Sequence, residues 1–524
     1  MKTITPKELM TALQGSGELA LLDVREQGVH YRGHPFFACS APLSKLELMI
    51  DDLVPRRTVS LVVLDGGGEG LAERALARLA QMGYTDVAIL EGGCAGWKAV
   101  GGELFSGVNV PSKAFGEFVE HHYDTPRVPP EELKQWLSEG KKLVILDSRP
   151  YEEYHRMNIP GGIDTPGAEL AWRVHDLAPD PDTLVVVNCA GRTRSIIGCQ
   201  SLRNAGIPNP VVALKDGTMG WDLAGFDCER GSSRVAPPPS EEAKAKARRL
   251  ADSVAHRFEV NTADPDQVRR WIDDPARTLY LLDVRTRDEY ERSHIAGSRH
   301  APGGQLVQAS DEYVGVRNAR VVLIDPERVR AVMTASWLNQ MGWNDVHVLD
   351  DVAGFSIERG PRKPPKVEKW KSVSASQVAG TVLDLSTSLR FHAAHMPGAW
   401  WGVRSRLSQA REKIGHVSSL VITSEDATLA HLAAPEAAAL WPDADVKVLE
   451  DGNAAWIAAG KPTESGIERA TTVRDDVWYK PYDHVSDYKQ HAREYLAWEV
   501  ALVHQVKRDP TIRFRLFSAG SSRR

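Results

Sequence analysis

One stretch of this chain has the residue types and spacing for nucleophilic chemistry: Asn188-Cys189-Ala190-Gly191-Arg192-Thr193-Arg194-Ser195. A thiol attacks as its thiolate, and a thiolate at neutral pH must be stabilised. The stretch follows the apolar run LVVV and opens a helical pattern, so it reads as a strand-to-helix loop. Such a loop aims backbone N–H groups inward and sits at the positive end of the helix dipole. Arg192 and Arg194 add two cations, and Gly191 lets the backbone curl without a Cβ. All of these lower a thiol pKa and make a pocket for an anion. The plain alternative for Cys189 is a buried, inert thiol, which leaves two arginines and a glycine in one loop unexplained. For the arginines the plain alternative is a solvated helix start. The ring is Cys-x4-Arg; cradling a tetrahedral phosphate takes one more residue, and the shorter ring fits a single transferred sulfur atom.

The other four cysteines lack such a setting. Cys199 lies three turns down the same helix, roughly 15 Å away at 1.5 Å per residue, and reads as a core residue. Cys39, Cys94 and Cys228 fall near turns, with a resolving or relay role as the sharper alternative. Five cysteines in 524 residues make no disulfide framework and point to a reducing, cytoplasmic setting. No pair has CxxC spacing, so no metal site is expected. Gly66-Gly67-Gly68 lacks the Lys-Ser/Thr of a phosphate loop. A net charge of −6 gives no basic footprint for nucleic acid. The start, MKTITPKELM, has no signal-peptide core, and no run approaches 18 apolar residues, so no membrane span is expected.

The elements that must position the loop recur along the chain. Apolar strands end at Asp23, Asp147, Asp283 and Asp384, and the first three continue as Asp-x-Arg, with Arg25, Arg149 and Arg285. A Gly- or Pro-bearing turn follows each, then a second apolar strand, a helix, a third strand and a turn ending in an aromatic: EGGCAGW, KDGTMGW, LDDVAGF and EDGNAAW. Asp23 to Asp65 is 42 positions, and so are Asp147 to Cys189 and Asp283 to Asp325. In the shorter fourth copy Ser424 aligns best, with Asp426 as the alternative. Continuous Val/Ile/Leu strands alternating with helices imply parallel sheets covered on both faces. Ligands on such sheets sit beyond the carboxyl ends of the strands. Cys189, Asp65, Asp325 and Ser424 all hold that position.

These motifs, in this order, resemble rhodanese sulfurtransferases. The resemblance covers nearly the whole chain, is most specific in the second unit, and is weakest in the fourth. It implies an α/β chain of four tandem rhodanese-like domains, each a mostly parallel sheet flanked by helices, plus a C-terminal helical tail. The expected bounds are 1–105, 125–232, 258–360 and 370–465, with the tail over 466–524. It also implies a ping-pong reaction in which the thiolate takes sulfane sulfur from thiosulfate or a persulfide and hands it to cyanide or a thiol. By position Cys189 is the nucleophile, and the amides of Ala190, Gly191, Arg192, Thr193, Arg194 and Ser195 hold the persulfide. Arg192 and Arg194 bind the anionic donor, and Asp147 with Arg149 braces the loop. No cofactor is required. A protein sulfur acceptor is a possible partner, and a non-catalytic persulfide carrier or a cysteine-dependent phosphatase are the alternative functions.

Asp65, Asp325 and Ser424 cannot form a persulfide, so the first, third and fourth units are expected to be inactive scaffold. The third keeps Arg328 and Arg330, which leaves anion binding without turnover open there. The family turn carries His before Ile-Pro-Gly; the second unit has Asn158, so that position is expected to be structural. The linker pair His121-His122 reads as packing or surface, with a place beside the second unit's mouth as the sharper alternative. The tail run HAREYLAWEVALVHQV reads as an added helix on the body.

Overall fold

The computed structural model describes residues 2–484 and 486–518. The chain is mixed α/β, with four mostly parallel sheets flanked by helices and a helical C-terminal segment. In the second unit the strands lie side by side as Arg127–Val128, Val211–Leu214, Leu184–Asn188, Leu143–Asp147 and Ile163–Asp164, every pair parallel. The other sheets repeat that order. The central strand Leu184–Asn188 is buried at every residue, which its unbroken apolar run requires when helices cover both faces.

The units are not beads on a string. Val316–Arg317 from the third pairs antiparallel with Leu19–Asp23 of the first, extending that sheet to six strands. One hydrophobic cluster runs through the first three units, whereas the fourth has clusters of its own. Arg404 of the fourth unit reaches Glu47 of the first at 2.9 Å. Between the second and third units Gly167 and Gly304 pass backbone to backbone, and a Cβ on either would lie 2.9 Å from the other's Cα. Only glycine permits that approach.

The Asp-x-Arg motif is a repeated lock. Each arginine clamps its aspartate through Nε and Nη2, and Nη2 also donates to the carbonyl of Gly33, Met157 or Ser293 in the following turn. In that turn His34, His294 and His395 bond through Nδ1 to the carbonyl four residues back. Asn158 makes the same contact through Nδ2. An amide replaces an imidazole because the turn needs one donor there.

The linker that carries His121-His122 holds a helix, Val110–Tyr123, buried along most of its length. Pro111 falls in its first turn, where a missing N–H breaks nothing. This linker helix packs between the helix after Cys189, Thr193–Ala205, and the tail helix, Tyr488–Val506. No helix among the described residues is long and apolar enough to cross a membrane.

Candidate active site

Cys189 follows directly on the strand Leu184–Asn188 and is 2% exposed. The residue before it ties the loop to the neighbouring strand: Asn188 Nδ2 donates to Asp147 Oδ2 at 3.0 Å, and Ser148 N–H donates to the Asn188 carbonyl at 2.8 Å. Asp147 and Arg149 therefore lie behind the loop and hold its root. A short cap helix, Gly217–Leu223, closes the other side. The N–H groups of Thr218 and Met219 donate to the Cys189 and Ala190 carbonyls at 2.8 and 2.9 Å. Gly217 has φ +56°, and a Cβ there would sit 2.4 Å from the Cys189 carbonyl oxygen. The glycine in GTMGW is thus dictated by the loop it touches. The Cys189 thiol meets Ser195 Oγ at 3.5 Å, and that hydroxyl donates to the Arg192 carbonyl at 2.8 Å.

Arg192 does not present a free cation to the site. Its guanidinium is gripped by Glu117 through two bonds of 2.7 and 2.8 Å, by Glu120 at 2.7 Å and by Asp216 at 3.0 Å. Its charge ties the loop to the linker helix instead of waiting for a donor. Burial raises the Glu117 carboxyl above the ordinary glutamate range, and the Arg192 charge offsets only part of that. Gly191 also differs from the expectation: its φ is not in the left-handed region. A Cβ there would lie 3.3 Å from Glu499 Oε2 and 3.4 Å from Tyr495, so the tail helix packs closely over this glycine.

Arg194 forms a two-pronged pair with Glu153, 2.9 and 2.8 Å. Burial alone would raise the Glu153 carboxyl, but the Arg194 charge and hydrogen bonds, with Lys480 and Arg149 nearby, bring it down to about 2. A depressed acid stabilises the fold fully above its unfolded value, near 4.5, and that contribution drains away as pH falls toward 2. Urea unfolding of Glu153→Gln beside the parent should show a gap that is widest at neutral pH and narrows steadily below about pH 5. A gap independent of pH would mean that the Arg194 pair contributes nothing to folding.

Cys189 opens into a cavity of about 320 Å³. The second unit makes only its floor. Gln27 comes from the first unit, Asn109 and Lys113 from the linker, Gln305 and Gln308 from the third unit, and Trp478, Lys480, Tyr482 and Tyr495 from the tail. None of these wall residues was expected from the sequence. The available signal was the tail's richness in Tyr, Trp and Lys, with no motif to direct it here. Tyr495 donates to Glu499 at 3.1 Å, and fully buried Glu499 holds Lys113 at 2.7 Å and accepts from Thr193 at 3.2 Å. His121-His122 is not at this mouth: His122 bonds the Phe517 carbonyl at 2.7 Å, at the far end of the linker helix.

At the other strand ends the loop amides close on a side chain. Asp65 accepts from Gly67, Leu71 and Ala72 at 2.9 to 3.3 Å. Asp325 accepts from Glu327 and Arg330. Ser424, not Asp426, holds the position: its hydroxyl accepts from Ala430 at 3.2 Å, and its carbonyl accepts from Asn453, as that of Cys189 does from Thr218. Asp426 caps Thr428 locally. Arg330 is 1% exposed and held by Asp325, Glu289 and Glu169, so it is not available to an external anion. All five cysteines are free. Burial pushes the Cys94 and Cys199 thiols up to about 12 and Cys228 up to about 11, and raises Cys39 as well. Such thiols are poor nucleophiles.

A family model described as a rhodanese-like domain matches residues 5–100, 129–224 and 264–351, more than half of the chain. The chain belongs to the rhodanese family. The matches fall on the first three sheets; the fourth, with the same strand order, lies outside them. Over its full length this rhodanese is similar to the crystal structure of a thiosulfate sulfurtransferase from Pseudomonas aeruginosa. The two are 46% identical, the match covers 99% of this chain and 100% of that one, and the TM-score is 0.94. Curated relatives match one part of the chain. An HTH-type transcriptional regulator of Mycobacterium tuberculosis is 35% identical over 94 residues, 18% of this chain and 41% of that one. A supposed sulfur carrier of Bacillus subtilis is 26% identical over 102 residues, 20% of this chain and 54% of that one. The matched segments thus span about half or less of those two proteins.

Proposed function

We propose that this rhodanese is a sulfurtransferase with its working site at Cys189, moving sulfane sulfur from thiosulfate or a persulfide donor to cyanide or a thiol. The carrying observation is that, of the four strand-end positions, the second holds a thiol and that thiol opens into the 320 Å³ cavity. The full-length similarity to a thiosulfate sulfurtransferase supports the same reading. In the first half-reaction the thiol loses its proton to solvent and Sγ attacks the outer sulfur of thiosulfate. The Sγ–S bond forms, the S–S bond of thiosulfate breaks, and sulfite leaves with that electron pair. In the second, cyanide attacks the outer sulfur of the persulfide, thiocyanate leaves, and the thiolate returns. The loop amides that close on Asp65 and Asp325 in the sister units support a persulfide held by Gly191 and the first turn of the following helix. Asp147 and Arg149 act through the loop root. We take the fourth sheet as a divergent rhodanese unit and the first, third and fourth as scaffold.

Thiosulfate-to-cyanide turnover, read beside p-nitrophenyl phosphate hydrolysis and intact-mass detection of a sulfur adduct, tests this. Sulfur transfer with no phosphate release is expected. Ready persulfidation with very slow turnover on every small acceptor would favour a carrier serving a protein partner. Asp65→Cys in a Cys189→Ser chain should remain inactive, because Glu69 takes the Gly66 amide at 3.1 Å and the loop, GGGEG, has no cation. Full activity of that double variant would show that the first unit is not mere scaffold.

A further inference from the structure

The cavity above Cys189 is lined by four cations, and three of them are already matched among the described residues. Lys113 is held by Glu499, Arg192 by Glu117, Glu120 and Asp216, and Arg194 by Glu153. Lys480 is the fourth, and it has no ion pair among the described residues. Glu153, the acid of the site whose carboxyl the Lys480 charge helps to lower, already gives both oxygens to Arg194. The Lys480 ammonium instead lies 5.9 Å from the Tyr482 ring. Its backbone is fixed: Lys480 N–H donates to Asp483 at 3.2 Å, Asp483 pairs with Arg156 at 3.4 Å, and the Arg156 guanidinium lies 4.9 Å over the Tyr482 ring. The segment is pinned while the charged end is left without an ion pair among the described residues, in the cavity that Cys189 also lines.

That combination has a chemical consequence. Arg194 and Glu153 together carry no net charge, so a dianion approaching Cys189 meets no surplus cation from the loop. We infer that Lys480, supplied by the C-terminal segment and by no rhodanese unit, is the residue that binds the anionic sulfur donor. This rests on the sulfurtransferase reading above. Lys480 holds the sulfonate oxygens of thiosulfate so that the outer sulfur faces Sγ, and stays on the sulfite as it leaves. The donor site is thus completed by the tail, which accounts for a long extension packed against the one unit that keeps its cysteine.

Lys480→Gln and Lys480→Arg in the full chain, with Lys489→Gln as an exposed tail control, test the assignment. Loss of one charged contact predicts a rise of about tenfold in the thiosulfate KM for Lys480→Gln, with kcat changed by less than about twofold, because uniform binding is removed. Lys480→Arg should recover most of the affinity, and Lys489→Gln should match the parent. The parent's thiosulfate KM should rise with ionic strength, and Lys480→Gln should lose most of that dependence. A Lys480→Gln protein with the parent's KM and salt dependence overturns the assignment and leaves the Cys189 reading intact. A fall in kcat unrescued by arginine shows a structural role and overturns it as well. If the parent itself gains no sulfur on Cys189 from thiosulfate, this inference fails; the sulfurtransferase reading fails with it only if persulfide donors also leave Cys189 without added sulfur.

Discussion

Cys189→Ser abolishes sulfur transfer. The kcat/KM for thiosulfate-to-cyanide turnover should fall by more than about a thousandfold, because the covalent route is lost along with the nucleophile. Intact mass after exposure to thiosulfate should show one added sulfur on the parent and none on the variant. The fold should tolerate the change, since serine differs by one atom and its hydroxyl still faces Ser195. No other thiol is placed to substitute. Cys94 and Cys199 sit with pKa values near 12 and Cys228 near 11, pushed there by burial. Cys39 is buried and raised too. A Cys189→Ser protein that still carries sulfur and still turns over would remove the basis of the assignment.

Arg192→Ala should be the most destabilising single change in the loop. It leaves Glu117, fully buried, without its counter-charge, and takes from nearly buried Glu120 one of two arginines, Arg127 remaining at 3.0 Å. Removing one partner from a buried ion cluster costs about 3–5 kcal/mol. The expected result is a lower thermal midpoint and a loosened linker helix, read as faster amide exchange over Val110–Tyr123. The loss should be smaller at pH 5 than at pH 8. Burial already raises Glu117, and without Arg192 its carboxyl rises further, so lowering the pH neutralises the orphaned charge. Adding Glu117→Gln to Arg192→Ala should recover part of the stability. If instead Arg192 binds donor and does little for the fold, the single variant will show a raised thiosulfate KM with an unchanged midpoint.

Much of the architecture could be read from local pattern. Runs of Val, Ile and Leu ending in aspartate marked strands buried on both faces, and equal spacing from each aspartate to the next strand end marked duplication. Both signals are short-range: burial selects the residue types, and the strand-end lock needs only Asp and Arg two positions apart. Cys189 was legible for the same reason, since a nucleophile, its loop and its helix are contiguous. Arg192 was legible as a cation but not as a bound one. Two of the three acids that hold it lie 72 and 75 positions upstream, in a segment that read only as a linker, and the third, Asp216, lies 24 positions downstream. Gly191 was noticed, but not the tail residues packed over it: Glu499 and Tyr495 are some three hundred positions away.

The sequence by itself therefore determined the repeated α/β unit, its family and the one strand-end position that holds a thiol. Tertiary structure decided what surrounds that thiol. A linker helix neutralises one loop arginine, the first and third units wall the cavity, and the tail closes it with aromatic rings and a lysine that has no ion pair among the described residues. The physical reason is range. Strand burial and loop chemistry follow from neighbours along the chain, whereas the charge left in a cavity depends on which distant carboxylates fold against each cation.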